Sequence, residues 1–143
     1  MPFVWAGTLP VTIAPVSSPV ATVDAFLSGL EADWRTVAPG EWGLSVDAAG
    51  WPLHIGVAFR DGLLRMQCEA LSEGSPVSDH ELLFRNRGLV LVRYAQSGAG
   101  AVWVHAELPP ELVTAVWLDR VLGMLVDAAV VVRHRAAASA PAG

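Results

Sequence analysis

Lysine is absent from this chain, and charged residues of any kind make up only 16% of its 143 residues. All nine basic residues are arginines, and fourteen acidic residues outnumber them, which gives a formal net charge of −5. A protein that binds nucleic acid by neutralising its phosphates carries a net positive charge, so we do not expect nucleic acid as a direct partner. A phosphate-binding loop of the G-x-x-x-x-G-K-[ST] type is impossible without lysine.

Cysteine is limited to Cys68, so the chain cannot form an internal disulfide or the thiolate sets that structural zinc usually requires. This cysteine usage fits a reducing compartment, and we expect a cytoplasmic protein. The histidines lie on different predicted elements and lack the close spacing of paired metal ligands. They are His54, His80, His105 and His134. We therefore expect neither a metal site nor a cofactor.

Hydrophobic residues are abundant, at 53% of the chain. This composition excludes intrinsic disorder for most of the sequence, and the length suits one domain that buries about 70% of the surface of its unfolded chain. The most membrane-like window, residues 112–132, contains Asp119, Arg120 and Asp127. Each of these charges is costly at the centre of a bilayer, so the window predicts a buried helix and no membrane insertion.

The two ends of the chain differ from the part between them. Residues 1–18 contain three prolines and lack the positively charged start of a signal peptide, which predicts an extended N-terminal arm. Residues 136–143 are small residues and proline without periodicity, which predicts a flexible tail. We therefore expect a single domain over residues 19–135.

The first part of this domain contains signals for a helix and a strand. Ser18 and Pro19 have the form of a helix N-cap followed by proline at the first helical position. Apolar residues then recur at helical spacing as far as Trp34, which predicts an amphipathic helix over residues 19–34. After a Pro-Gly break, apolar and polar residues alternate and predict a strand over residues 42–47.

Asp61-Gly62 is typical of the two-residue turn of a β-hairpin, and it joins apolar runs over residues 53–60 and 63–70. The turn fixes the register, and the alternation of side chains then gives one apolar and one polar face. The apolar pairs of this register are Phe59 with Leu64, Val57 with Met66, Ile55 with Cys68 and Leu53 with Ala70.

A short helix follows the hairpin. Ser78 and Glu81 form a capping box that predicts a helix over residues 79–86. Three consecutive apolar residues on it, Leu82, Leu83 and Phe84, are more than one face of a helix can hide.

A second hairpin is predicted from residues 89–96 and 101–108, joined across Ser97-Gly98-Ala99-Gly100. A two-residue Gly-Ala loop and a four-residue loop give the same register. On one face this register pairs Val92 with His105 and Tyr94 with Trp103. Pro109-Pro110 then predicts the start of a last helix that runs to about Arg133.

Several strings in the sequence carry a likeness to a known family. They are Trp42-Gly43-Leu44-Ser45-Val46-Asp47, Trp51-Pro52-Leu53, His80-Glu81-Leu82-Leu83 through Asn86, and Val102-Trp103-Val104 leading into Leu108-Pro109-Pro110-Glu111. Together with the order of the predicted elements, these strings resemble the YbjN-like family over about residues 20–133.

The resemblance implies an α+β fold with the element order α-β-β-β-α-β-β-α, in which N- and C-terminal helices pack on an antiparallel sheet, as in class I type III secretion chaperones. It further implies a bacterial, cytoplasmic and non-enzymatic protein. Chaperones of that class are small acidic homodimers that bind extended segments of other proteins, so we expect the same kinds of partner here.

Apolar residues beyond the needs of one core indicate where those partners bind. We predict a dimer interface at Leu82, Leu83, Phe84 and Leu89. We predict a partner-binding face at Val92, Tyr94, Trp103 and His105, because Tyr94 and Trp103 form a cross-strand pair of rigid rings on the face opposite Val102 and Val104, which we expect to be the core face. Arg93 lies among those core residues, so the reverse assignment, which buries the aromatic pair, is the alternative.

A small enzyme with a site assembled from dispersed polar residues is the alternative. Its candidate residues are His54, Glu69 and His105, of which the first two are expected to lie side by side on the polar face of the first hairpin. A deep polar pocket that contains these residues favours the enzyme, whereas an open apolar groove favours the binding protein.

Overall fold

The structure is a computed structural model that describes residues 18–139. Its helices are α1 (Pro19–Ser28), α2 (Asp79–Asn86) and α3 (Ala115–Ser139), with a short 3₁₀ turn at Pro110–Leu112. Its strands are β1 (Asp33–Ala38), β2 (Glu41–Ala48), β3 (Trp51–Arg60), β4 (Leu63–Leu71), β5 (Val92–Gln96) and β6 (Val102–Leu108). The N-terminal arm predicted over residues 1–18 lies outside the described residues, apart from Ser18, whose hydroxyl accepts a hydrogen bond at the start of α1.

The six strands form one antiparallel sheet in the order β1-β2-β3-β4-β6-β5. One face of the sheet packs with α1 and α3 around a single apolar core. We call the opposite face the outer face. The predicted α+β class, an antiparallel sheet packed by N- and C-terminal helices, is confirmed.

The hairpin of β3 and β4 has the predicted turn and register. Asp61 and Gly62 both have positive φ, at 53° and 76°, as a type I′ turn requires. Ile55 is paired with Cys68 and Val57 with Met66, and all four side chains are buried. Local turn chemistry and the period of two therefore determine this part of the fold.

The first helix is shorter than predicted, and one strand was missed. The helix ends at Ser28 and is followed by Gly29, whose amide donates to the carbonyl of Phe26 in a tightened last turn. Trp34 belongs instead to β1, where it is paired with Leu44 of β2. Pairing along β2 supplies the hydrogen bonds of this segment, so four strands precede α2 where three were predicted.

The predicted register of the second hairpin is wrong by one residue. The chain turns through a three-residue loop, Gly98 to Gly100, closed by hydrogen bonds from Ser97 N to Ala101 O and from Gly100 N to Ser97 O. Gly100 has φ of 93°, as the residue after a type I turn does in such a loop. Two- and four-residue loops give a register of different parity, which is why the prediction failed.

The shift changes the face on which side chains lie, because neighbours in a strand alternate. Tyr94 is paired with Val104, and Val92 with Ala106, on the core face. Trp103 and His105 are on the outer face, opposite Ala95 and Arg93. The four residues predicted to share one partner-binding face are therefore divided between the two faces of the sheet.

The last helix is displaced towards the C-terminus relative to its prediction. It starts at Ala115, after Thr114, whose hydroxyl accepts from the amide of Trp117 as an N-cap does. It continues to Ser139, so residues 136–139 are helical where a flexible tail was predicted. No helix among the described residues is both long and apolar enough to cross a membrane.

Arg133 fastens α3 to the ends of three strands. Its guanidinium donates to the carbonyls of Ala48, Trp51, Pro52 and Ala70, over 2.9 to 3.1 Å. These residues end β2, begin β3 and lie near the end of β4. Five N–H donors in a fixed plane suit this task, which a single ammonium group could not perform.

Replacing Arg133 should therefore destabilise the whole domain. We expect Arg133→Met to lower the free energy of unfolding by about 2–4 kcal/mol, since it leaves carbonyls at three strand ends without charged donors. Urea denaturation followed by circular dichroism measures this. Arg35→Met, at an exposed position on β1 without a recorded ion pair in residues 18–139, is the control and should change the value by less than about 0.5 kcal/mol. Equal effects of the two substitutions would contradict this role.

Candidate functional site

An open groove of about 1010 Å³ lies between α2, β5 and α3, at the β5 edge of the sheet. We call it the edge groove. Its apolar lining includes Phe84, Leu89, Val90, Tyr94, Met124 and Val131. Three of these are strongly exposed, with 61% of Phe84, 67% of Val90 and 44% of Val131 accessible to solvent. Apolar side chains concentrated in this way on a surface are typical of an interaction site.

Tyr94 joins the three elements that enclose the edge groove. Its hydroxyl donates to the carbonyl of Ala128 in α3 over 2.5 Å. Its backbone amide donates to Oδ1 of Asn86 over 2.8 Å, and its carbonyl accepts from Nδ2 of the same side chain over 3.1 Å. Asn86 is the last residue of α2, so one residue of β5 positions both helices.

The same contact closes the free edge of β5. An edge strand presents unpaired amide and carbonyl groups that can pair with a strand from another chain. At Tyr94 both outward groups are already bonded to the Asn86 side chain. A partner segment therefore cannot pair with the backbone of β5 at Tyr94 unless it displaces Asn86, and its side chains would supply the contacts with the apolar lining.

The backbone before β5 is strained. Leu91 has φ of 65°, a left-handed conformation that a bulky residue adopts only at a cost of about 1–3 kcal/mol. Because of this kink, β5 begins only at Val92, although the preceding residues, Leu89 to Leu91, are apolar and suited to a strand. As a result Val90 lies exposed at the groove. Strain of this kind is often found at functional sites.

Charged groups hold one end of the edge groove together. Glu81 of α2 accepts from Arg85 on its own helix and from Arg135 on α3, each over 3.0 Å. The hydrogen bond from Arg85 is the main cause that lowers the pKa of Glu81, and the charge of Arg135 acts in the same direction. The carboxylate is therefore ionised at neutral pH, and it bridges the two helices.

The residues predicted as a dimer interface lie around this groove, with one exception. Phe84 and Leu89 line it, and Leu83, which is 70% exposed, lies next to Phe84 on α2. Leu82 is buried in the core, so it does not offer a surface to a partner. Its burial follows from helix geometry, because three consecutive residues cannot share one face.

The residues predicted as a partner-binding face are separated by the structure. Val92 and Tyr94 line the edge groove but are almost wholly buried. Trp103 and His105 contact each other on the outer face, with ring centroids 6.3 Å apart. Burial is the main cause that lowers the pKa of His105, and the nearby charge of Arg93 adds to it. His105 is therefore neutral at physiological pH.

The residues of the enzyme alternative all lie towards the outer face. Ser45 Oγ is 2.7 Å from Nδ1 of His54, but no described carboxylate orients this ring as a catalytic triad requires. No hydrogen bond recorded between residues 18 and 139 links His54, Glu69 and His105 to one another. A shallow depression of about 640 Å³ contains His54 and Glu69 but not His105. The three candidates thus form no assembled catalytic site.

Cys68 is buried in the core, as its predicted position in the first hairpin requires. Burial raises the pKa of the thiol to about 12, against smaller opposing effects of a hydrogen bond with the Val104 backbone and the charge of Arg133. The thiolate, which is the reactive form, is therefore negligible at neutral pH. Within the described part of the chain, no three side chains of histidine, cysteine, aspartate or glutamate come together as a metal site would require.

Among solved structures, the chain is similar to the type III secretion chaperone SycH of Yersinia pestis, determined in complex with a stable fragment of YscM2. The two share 20% of residues, with a TM-score of 0.59 over 80% of this chain and 98% of that chain. The chain has the fold of a type III secretion chaperone. No protein-family model and no curated protein matches it.

At this identity the likeness establishes the fold and not the function. It agrees with the fold that the YbjN-like strings imply, although kinship with that family rests on those strings alone. The sequence predicted Phe84 and Leu89 as interface residues, because that region has more apolar residues than one core can bury. It missed Met124 and Val131, because the side of α3 that meets α2 depends on contacts that no local pattern shows.

Proposed function

We propose that this protein is a non-enzymatic binding module of the chaperone or adaptor type. In this proposal, its edge groove takes extended apolar segments of other proteins, and two copies form a homodimer. One observation carries the proposal, namely an open groove that brings together three exposed apolar side chains, those of Phe84, Val90 and Val131. Kinship with the YbjN-like family and a bacterial, cytoplasmic setting belong to the same proposal.

The exposed side chains of the edge groove suit this role. Phe84 of α2 offers a rigid ring, while Val90, just before β5, and Val131 of α3 offer branched apolar surface. Arg87 lies over the Phe84 ring, 5.7 Å from its centroid, which adds a charge at the rim without burying it. An apolar centre with a charged rim is the usual anatomy of a protein interface.

The closed edge at Asn86 favours a particular mode of binding. A segment that docks through side chains needs no regular pattern of backbone hydrogen bonds. Selection then depends on side chains alone, because backbone groups are the same in every sequence, and any segment with apolar residues at suitable intervals can fit. Breadth of this kind suits a chaperone or adaptor better than a receptor for one fixed peptide.

The fold comparison supports the same proposal. SycH was determined with a fragment of another protein bound to it, so the fold is compatible with binding to a protein segment. The separation of the enzyme candidates on the outer face supports a non-enzymatic role.

Charge in the edge groove should abolish binding of apolar segments. We expect Val131→Asp to weaken binding of uncharged, apolar 13-residue peptides from a fluorescent peptide array at least tenfold, because a buried unpaired carboxylate is costly. Binding is then measured by fluorescence anisotropy for the strongest peptides.

Val37→Asp is the matched control for that substitution. Val37 is an exposed valine like Val131, but it lies on β1, at the other edge of the sheet. It should leave peptide affinity within about twofold, since surface substitutions outside an interface have small effects. If Val131→Asp and Val37→Asp bind equally well, the edge groove is not the binding site.

The exposed face of α2 provides the seam of the proposed homodimer. Leu83 is largely exposed beside the edge groove, whereas Phe84 and Leu89 line the groove itself and stay available to partner segments. We expect light scattering after size exclusion to give twice the chain mass of 15.1 kDa at tens of micromolar protein. Leu83→Arg should shift the protein towards monomer, because each copy would place a charge in an apolar contact. A wild-type mass of one chain at that concentration would refute the dimer.

A further inference from the structure

We propose that residues 3–9 of the same molecule occupy the edge groove when no partner is bound, so that the N-terminal arm competes with partner segments. The inference rests on the proposed function to the extent that both assign apolar segments to this groove. It goes further by naming one occupant and giving the protein a means to regulate its own binding site.

The composition of the arm matches the apolar lining of the groove. None of the first 17 residues is charged. The large apolar residues of the docked part are Phe3, Val4, Trp5 and Leu9. Leaving such a segment in water is unfavourable by roughly 25 cal/mol for each Å² of apolar surface, and the same holds for exposed Phe84, Val90 and Val131. Contact between the two surfaces removes both costs.

The backbone of the arm matches the closed edge of β5. Pro2, Pro10 and Pro15 have no amide hydrogen and disfavour a continuous paired strand. The edge groove does not offer continuous strand pairing either, because the Asn86 side chain occupies the edge at Tyr94. Docking through side chains is the mode that suits both partners.

The arm is long enough to reach the groove within one molecule. Asp24 of α1 accepts a hydrogen bond from the Trp42 indole of β2, which places the start of the domain over that strand. Four strand spacings separate β2 from β5, or about 19 Å. Residues 10–17, which connect the docked segment to Ser18, span up to about 26 Å in extended conformation, which exceeds this separation.

The tether also makes intramolecular docking effective. A short tether gives an effective concentration on the order of 1 mM, so the arm occupies the groove even if its intrinsic affinity is only moderate. A free partner must then displace it, and its apparent affinity falls by the fraction of molecules with an open groove. Partners with weak apolar segments would be rejected on this basis.

Thiol accessibility tests the proposal in the full chain. We compare maleimide labelling of Val90→Cys with and without the arm substitutions Phe3→Asp and Trp5→Asp. Labelling should become about tenfold faster with the substituted arm, as expected if the arm covers the groove in about nine molecules of ten. Val37→Cys is the matched control and should react at one rate with either arm. Buried Cys68 contributes no comparable background. Equal rates at Val90→Cys with both arms would overturn the proposal.

A cross-link identifies the molecule that supplies the arm. In the double variant Thr8→Cys, Val90→Cys, mild oxidation should give a monomeric product with altered mobility on a non-reducing gel. The pair Thr8→Cys, Val37→Cys should cross-link at least tenfold more slowly. A covalent dimer would instead assign the groove to the arm of a second copy, and absence of a preferred cross-link would remove the arm from it. Both contradict docking within one molecule.

These outcomes are independent of partner binding. If the arm is released by Phe3→Asp with Trp5→Asp and the opened groove still binds no apolar peptide, the proposed function fails while the docked arm stands. If peptides bind with the same affinity to the native and the substituted chain, and labelling is unchanged, the proposed function stands while the docked arm fails.

Discussion

The edge groove depends on one residue, Tyr94. Its hydroxyl is bonded to α3 through Ala128, and its backbone is bonded to α2 through Asn86. The ion pair between Glu81 of α2 and Arg135 of α3 also joins the two helices, but ion pairs near the surface contribute little to stability. The hydrogen bonds are made in a partly buried setting, where they are more directional and more costly to break. The position of both groove walls thus follows from the placement of one ring on the core face of β5.

That placement illustrates what local sequence determines. The hairpin of β3 and β4 was predicted correctly, because Asp61-Gly62 allows one turn type and both strands alternate clearly. The loop of the second hairpin contains two glycines around an alanine, which permits several loop lengths. The sequence alone did not distinguish a three-residue loop from the two- or four-residue alternatives, and the difference moved Val92 and Tyr94 to the core face, away from Trp103 and His105. A single residue of loop length decided which side chains can share a site.

Contacts between distant parts of the chain account for the rest. Arg133 bonds to carbonyls more than 60 residues earlier, and the basic end of a helix gives no sign of such partners. The N-cap and the length of α2 follow from the nearby Ser78, so that helix was predicted well. Phe84 and Leu89 were identified as interface residues from an excess of apolar surface, whereas Val131 required knowledge of which side of α3 meets α2. An excess of apolar residues can be predicted from the sequence, but the groove that these residues form cannot.

The central claim is that the edge groove, and not the outer face of the sheet, is the surface that binds protein segments. Titration of the isotope-labelled protein with an apolar, uncharged peptide, followed by backbone amide chemical shifts, tests it most directly. The account predicts that the largest shift changes fall in residues 84–94 of α2 and β5 and in residues 124–135 of α3. Changes centred instead on outer-face residues such as Gly56, Trp103 and His105, with the groove residues unaffected, would contradict it.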